Sequence, residues 1–325
     1  LGPGLLPAQL PGVGRVSPPG SVELARRPPA ARAAAGAPPR PRQVAAPAVA
    51  ATPGISHEAF EQVRRLVYAE SAIVLEPGKE YLVESRLLAL ARRESIPGGV
   101  AEVMERLSAQ PRGELARKVV EAITTNETSF FRDQEPFEVL RDVVLPELVR
   151  RRAAEKQLRI WCAASSSGQE PYSVAMLLRE SFPHLHDWRI SVTSSDISRD
   201  MLRRCDDARY TELEVNRGLT PERRARHFTR EGNSWRARPE LRQMVQFFEL
   251  NLAGPWPAMA PLDLVLMRNV LIYFDAPTKR SILAKVRKVL RPDGYLFLGG
   301  AETTFSLDEG YAREAKGRVT YYRLR

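Results

Sequence analysis

Three features of the chain point to an α/β protein in which a small helical domain precedes a doubly wound, mostly parallel sheet. Apolar residues recur at helical spacing through residues 55–125. From residue 158 onward, short apolar runs alternate with helical periodicity, the pattern of parallel strands joined by crossover helices. A polar stretch at 210–242 separates two of those runs and is too long for an ordinary connection, which predicts a small inserted subdomain. The 325 residues suffice for two domains at the usual ~100–200 residues each.

The first 54 residues stand apart. They hold 12 of the 26 prolines, 13 alanines, 7 glycines and no aromatic residue. Six arginines against one glutamate supply half of the net charge of +10. Such a segment cannot bury enough apolar surface to offset its ordering entropy, so residues 1–54 read as a disordered tail. In the helical domain, residues 55–130, Phe60, Val63, Leu66 and Val67 mark one apolar stripe and Leu82, Leu87, Leu88 and Ala91 another. Pro77-Gly78 and Pro97-Gly98-Gly99 separate the helices, and Pro111-Arg112-Gly113 introduces the last. Residues 131–157 form a linking helix, and the sheet domain occupies 158–325, with its insertion at about 210–245.

Within the sheet domain the strands are expected at 158–163, 189–193, 245–250, 262–267, 295–298 and near 319–322. A helix at 170–180 carries Pro171 in its first turn, and Ser198 is placed to cap the next, which runs to Cys205. An amphipathic helix at 277–290 leads to a turn, Arg291-Pro292-Asp293-Gly294.

Several function classes are excluded. Cys162 and Cys205 form no CxxC pair, which leaves neither a disulfide framework nor a thiolate zinc site. Of the four histidines only His184 and His186 are close, and that spacing suits solvated side chains better than a metal, so no metal is expected. No apolar run approaches the ~18 residues of a membrane helix, and no secretory signal is recognisable. The expectation is a soluble, cytoplasmic protein. Residues 55–325 carry 43 basic and 38 acidic residues, a surplus that suits an acidic partner without demanding nucleic acid.

In an open α/β sheet, ligands sit outside the carboxyl ends of the strands. The first strand runs into Ala164, Ser165, Ser166, Ser167 and Gly168, where small residues allow close backbone approach and the next helix offers free N–H groups. By itself this segment is equally a tight strand–helix turn. Asp196 ends the second strand, 28 residues after Gly168, placed either to accept two hydrogen bonds from a ribose diol or to begin a helix cap. Neither GxGxxG nor GxxxxGK[ST] occurs, which argues against a dinucleotide and a P-loop. The segment Leu290-Arg291-Pro292-Asp293-Gly294-Tyr295 before a late strand is a recurrent mark of S-adenosylmethionine (SAM) methyltransferases.

Four ordered segments then resemble one family, the CheR-type methyltransferases that methylate glutamate side chains of bacterial chemoreceptors. They are Thr125 to Arg132 (TNETSFFR), Ser167 to Ser173 (SGQEPYS), Ser195-Asp196-Ile197, and Arg268 to Phe274 (RNVLIYF). The resemblance covers residues 57–325. It implies a SAM-dependent methyltransferase fold: a Rossmann-like, mostly parallel doubly wound sheet, an N-terminal all-α domain and a small inserted antiparallel β-subdomain. It also implies that Asn126, Thr128 and Arg132 lie near the methionine end of SAM, and that Glu170 and Asp196 hold the amino-acid and ribose portions. Asn251 and Leu252 would flank the adenine, Arg268 and Asn269 sit beside the sulfonium, and Tyr273 face the acceptor.

The implied reaction is direct methyl transfer to a glutamate carboxylate, yielding S-adenosylhomocysteine. An ionised carboxylate is already a nucleophile, so no general base or metal is required. Tyr273 or a nearby arginine would orient it, with Arg150, Arg151 and Arg152 as weaker candidates. The partner implied is the helical cytoplasmic region of a chemoreceptor, met by Arg86, Arg92 and Arg93 on the 79–94 helix, with no nucleic acid, no membrane insertion and a monomeric enzyme. A short turn at Gly232-Asn233-Ser234, with Pro239 near a strand edge, predicts independence from a receptor C-terminal pentapeptide. The alternative reading is a non-catalytic signalling scaffold of the same fold.

Overall fold

A computed structural model of the chain describes residues 54–325. All but the last residue of the tail expected at 1–54 lies outside the described residues. Helix α1 (His57–Ser71) opens at Ser56, whose side-chain oxygen accepts the Ala59 N–H at 3.1 Å. It is followed by α2 (Glu80–Arg93), α3 (Gly99–Ala109) and α4 (Glu114–Ile123). The stripes read from the sequence close on one another. Phe60, Val63 and Val67 of α1 bury against Val83, Leu87 and Ala91 of α2, Val103 and Leu107 of α3 and Val119 of α4. Each large side chain so buried contributes about 1.5–3 kcal/mol relative to exposure. Leu88, counted in the α2 stripe, is instead exposed.

An irregular segment leads to α5 (Glu135–Val139), a π-helical turn (Leu140–Val144) and α6 (Leu145–Arg151). The sheet domain then runs β1 (Gln157–Ala163), α7 (Gln169–Ser181), β2 (Arg189–Asp196), α8 (Arg199–Asp207), β3 (Arg209–Thr211), α9 (Glu212–Asn216), α10 (Pro221–His227), β4 (Phe228–Glu231), β5 (Ser234–Ala237), α11 (Pro239–Arg242), β6 (Val245–Glu249), β7 (Leu262–Met267), α12 (Ala276–Val289), β8 (Leu290–Leu298), β9 (Tyr311–Lys316) and β10 (Val319–Leu324). Ser198 caps α8 as expected, accepting the Met201 N–H.

Seven strands form the main sheet in the order β6-β2-β1-β7-β8-β10-β9. The first five pair in parallel, and β10 and β9 close one edge antiparallel. From β1 the chain winds outward through β2 to β6 and then returns to the other side of β1 as β7, which places the switch point between β1 and β7. Every residue of β7 is buried, as a central parallel strand requires.

Two features depart from the sequence reading. Strand β9 was not anticipated, because its Ala-Arg-Glu-Ala-Lys pattern is that of an edge with one solvated face. The turn expected at 291–294 is absorbed into β8, where the register against β7 shifts between Leu262 and Leu264. A Cβ on Gly294 would lie 3.1 Å from the Asp263 carbonyl oxygen, a tight approach at the point where the register shifts.

The insertion forms a separate antiparallel sheet in the order β3-β5-β4. Glu231 pairs with Ser234, leaving Gly232 and Asn233 as a two-residue turn, with Gly232 at φ 62°. Pro239 opens α11 rather than interrupting a strand edge, which corrects the role given to it from the sequence. Tyr210 of β3 and Phe228 of β4 pack edge-on against Phe130, with centroids at 5.0 and 5.4 Å. Among the described residues, no helix is long and apolar enough to cross a membrane.

Candidate active site

The loop leaving β1 folds into a cradle because three of its residues adopt left-handed backbone: Ala164 at φ 61°, Ser166 at φ 49° and Gly168 at φ 94°. Gly168 is required there, since a Cβ would come within 3.1 Å of the Cys205 sulfur and the Tyr210 hydroxyl. This conformation aims the Ser166 N–H at Asp196 Oδ2, at 2.8 Å, while Ser198 N–H donates to Oδ1 at 2.9 Å. Asp196 is therefore both a turn acceptor and a wall of the cleft. Burial pushes its carboxyl up to about 6, against the opposing pull of these backbone donors.

The segment between the helical bundle and α5 lies against this cradle. The Ser166 hydroxyl donates to the Asn126 carbonyl at 2.8 Å, and the Phe131 N–H donates to Ser173 Oγ at 2.9 Å. Phe130 and Phe131 are core residues. Arg132 donates to the Glu127 carbonyl at 2.9 Å. Arg268, at the end of β7, is nearly fully buried and already neutralised. It donates to Glu170 Oε2 and Asp133 Oδ2, each at 2.8 Å, and to the Arg132 carbonyl at 2.9 Å. Burial raises the Glu170 carboxyl, and Arg268 opposes that rise. Arg268 Nε is buried with no hydrogen-bond partner among the described residues.

The β7 exit loop supplies Asn269, at φ 59°, and Tyr273. Its far end is bound by the connection between α1 and α2: the Val74 N–H donates to the Tyr273 carbonyl at 2.9 Å, and Ile73 bridges to Phe274. The Tyr68 hydroxyl donates to Asp275 Oδ2 at 2.8 Å, and Asn251 donates to the Glu70 carbonyl at 2.7 Å. The end of α1 is thus a wall of the site.

One cleft is lined by Asn126, Thr128, Arg132, Glu170, Asp196, Asn251, Leu252, Arg268, Asn269 and Tyr273 together. Sequence reasoning missed Ser71 and Ile73, which also line it. Neither stands in a recognisable motif, and only packing of α1 on the sheet brings them there.

Four arginine assignments need correction. Arg86 does not face outward. Its guanidinium donates to the carbonyls of Ala122, Ile123 and Thr124 at the end of α4 and to Thr125 Oγ1. Arg93 pairs with Asp200 of α8 at 2.9 Å as well as with Glu94, which leaves Arg92 as the exposed arginine of the three without an ion pair among the described residues. Arg152 sits at the amino ends of the strands, away from the cleft, bound to Asp263 and Asp293, and Arg151 pairs with Glu147.

The donor set fits SAM. Asp196, with one N–H on each oxygen, and Glu170, with Arg268 on one oxygen, keep lone pairs free for a ribose diol and an α-ammonium, and the orphaned Arg268 Nε marks polar capacity left over at the same wall.

Residues 58–124 match the family model described as CheR methyltransferase, all-alpha domain, and residues 126–319 that of CheR methyltransferase, SAM binding domain. The chain is 41% identical over 256 residues to chemotaxis protein methyltransferase Cher2 of Pseudomonas putida, covering 78% of this chain and 92% of that one. It is 42% identical over 256 residues to chemotaxis protein methyltransferase 1 of Pseudomonas aeruginosa, with the same coverage of 78% and 92%. Against the chemotaxis protein methyltransferase of Escherichia coli the identity is 34% over 275 residues, covering 82% and 91%. The two matched regions meet where α4 gives way to the cleft-lining segment, so bundle and sheet alike place this chain in the CheR methyltransferase family, as a SAM-dependent methyltransferase.

Proposed function

We propose that the protein methylates glutamate side chains on the helical cytoplasmic region of a chemoreceptor, acting in the cytoplasm as a monomer. The observation that carries this reading is the single cleft in which Asp196 and Glu170 lie together with the Tyr273 loop. The names of the relatives, chemotaxis protein methyltransferases, supply the acceptor class.

When bound, SAM supplies an electrophilic methyl group on a sulfonium. Asp196 accepts from the ribose hydroxyls, with its carboxylate held by the Ser166 and Ser198 N–H groups. Glu170, steadied by Arg268, receives the α-ammonium, and Arg132 with Asn126 and Thr128 faces the methionine end. Asn251 and Leu252 flank the adenine, and Asn269 borders the transferring group. Arg268 acts by holding Glu170 in place, since its own charge is already paired. Tyr273 orients the acceptor carboxylate, which attacks without a general base. Catalysis on this reading is alignment and exclusion of water, and alignment alone is worth about 7–11 kcal/mol.

The two-residue turn between β4 and β5 leaves little loop to cradle a peptide, so the enzyme acts without a receptor tail pentapeptide. Labelled methyl transfer to purified receptors tests both parts. Base-labile label on receptors with and without the tail is expected. Base-stable label would remove the ester reading, and label lost with the tail would remove the independence.

A further inference from the structure

We propose that Glu302 is the positioning residue for the acceptor side of the cleft, holding the β7 exit loop so that Tyr273 meets the acceptor. The inference rests on the reading of Tyr273 given above. Glu302 lies outside every motif that identified the site, in the loop leaving β8. Its Oε2 accepts the Asn269 N–H at 2.8 Å and the Gly299 N–H, and its Oε1 accepts the Ile272 N–H at 3.2 Å. One carboxylate therefore gathers main-chain donors from both ends of the turn that precedes Tyr273.

Three observations make this a built clasp. Asn269 sits at φ 59°, left-handed backbone that asparagine adopts more readily than other residues with side chains, and Glu302 Oε2 accepts its N–H in that conformation. Gly299 admits no substituent: a Cβ would lie 2.7 Å from Glu302 Oε2 and 2.8 Å from the Asn269 nitrogen. The other end of the loop is fixed independently, by Val74 and Ile73 on Tyr273 and Phe274. Both carboxylate oxygens of Glu302 are occupied by the loop, which assigns it positioning rather than contact with substrate. Leu271 and Phe274 stay anchored in the core, so losing the clasp loosens the loop without opening the sheet.

The test uses the full chain with Glu302→Ala, Glu302→Gln, Tyr273→Phe and the Glu302→Ala/Tyr273→Phe double variant. Turnover, SAM affinity and melting temperature are measured for each. Glu302→Ala is expected to lower kcat about 10- to 100-fold, the scale of a small misplacement, with melting temperature nearly unchanged and SAM affinity falling far less than kcat. Glu302→Gln, which keeps one acceptor oxygen, should fall between it and wild type. The double variant should be no slower than the slower single variant, because both act through one hydroxyl.

Normal turnover by Glu302→Ala beside a slow Tyr273→Phe overturns the role of Glu302 alone. Multiplying losses, or parallel loss of melting temperature and SAM affinity, also overturn it. A Tyr273→Phe variant as fast as wild type overturns the reading of Tyr273 and the route from Glu302 with it. Should Glu302→Ala fail to fold, the same criteria apply to Glu302→Gln.

Discussion

Asp196 shows how much a single carboxylate can reveal. In the proposed function its ionised form accepts from a ribose diol, while burial holds the free protein's carboxyl at about 6. SAM affinity should therefore be full above that pH and fall about tenfold per unit below it, as binding must displace the proton. Burial also raises Glu170, which Arg268 opposes. Calorimetric titration from pH 5 to 8 measures the fall, and Asp196→Asn should flatten the profile. Asp196→Ala should weaken binding at least ~10-fold at neutral pH, since charged hydrogen bonds are worth about 1.5–3 kcal/mol each. Arg268→Lys makes a different point. A single ammonium nitrogen cannot span the two guanidinium nitrogens that reach Glu170 on one side and Asp133 with the Arg132 carbonyl on the other. Glu170 should then titrate higher than in wild type, and SAM should bind more weakly over the same titration.

Between elements, the contacts that matter join the small sheet to the cleft. Gly218 sits at φ 105°, and a Cβ there would lie 1.8 Å from the Phe130 carbonyl oxygen. One residue earlier, Arg217 pairs with Glu127 at 2.7 Å. The insertion is thus seated on the segment that lines the cofactor cleft. Gly218→Ala should cost at least about 1–2 kcal/mol from backbone strain alone, with the collision added to it. Chemical denaturation gives the cost. SAM affinity should fall with it, since Phe130 adjoins Thr128 and Arg132. A Gly232→Ala control, at a turn with open space around it, should be milder and leave affinity intact.

Across the molecule, the two ends of the sheet divide stability from chemistry. At the amino ends, Arg152 donates to Asp263 at 2.6 Å and to Asp293, and Asp263 also accepts the Arg159 N–H at 2.8 Å. Asp263 is fully buried. Asp263→Ala would leave the Arg159 N–H and the Arg152 Nε without an acceptor while Asp293 still holds the Arg152 charge, so it should cost about 1–3 kcal/mol for each buried donor orphaned. The folded fraction should bind SAM as wild type does, and a matched shift in affinity would contradict the separation.

Much of the site could be read directly along the chain. The small-residue run at Ala164–Gly168 is a local backbone requirement, and polar residues such as Asn126 and Asn269 stand out against apolar neighbours, where unpaired burial is costly. The helical stripes and the buried strands β1 and β7 follow from periodicity for the same reason: each is a rule about neighbours a few residues apart. Arg86, Arg152 and Glu302 escaped because their partners lie 36 or more, 111 and 33 residues away. An arginine that will close a helix end looks, in sequence, like one that will meet solvent. Strand β9 escaped because an edge strand needs only one buried face. These assignments depend on the strand order β6-β2-β1-β7-β8-β10-β9, which the chain adopts by burying both faces of its central strands. That packing sets the exits of β7 and β8 side by side, and so puts Glu302 against the loop that carries Tyr273.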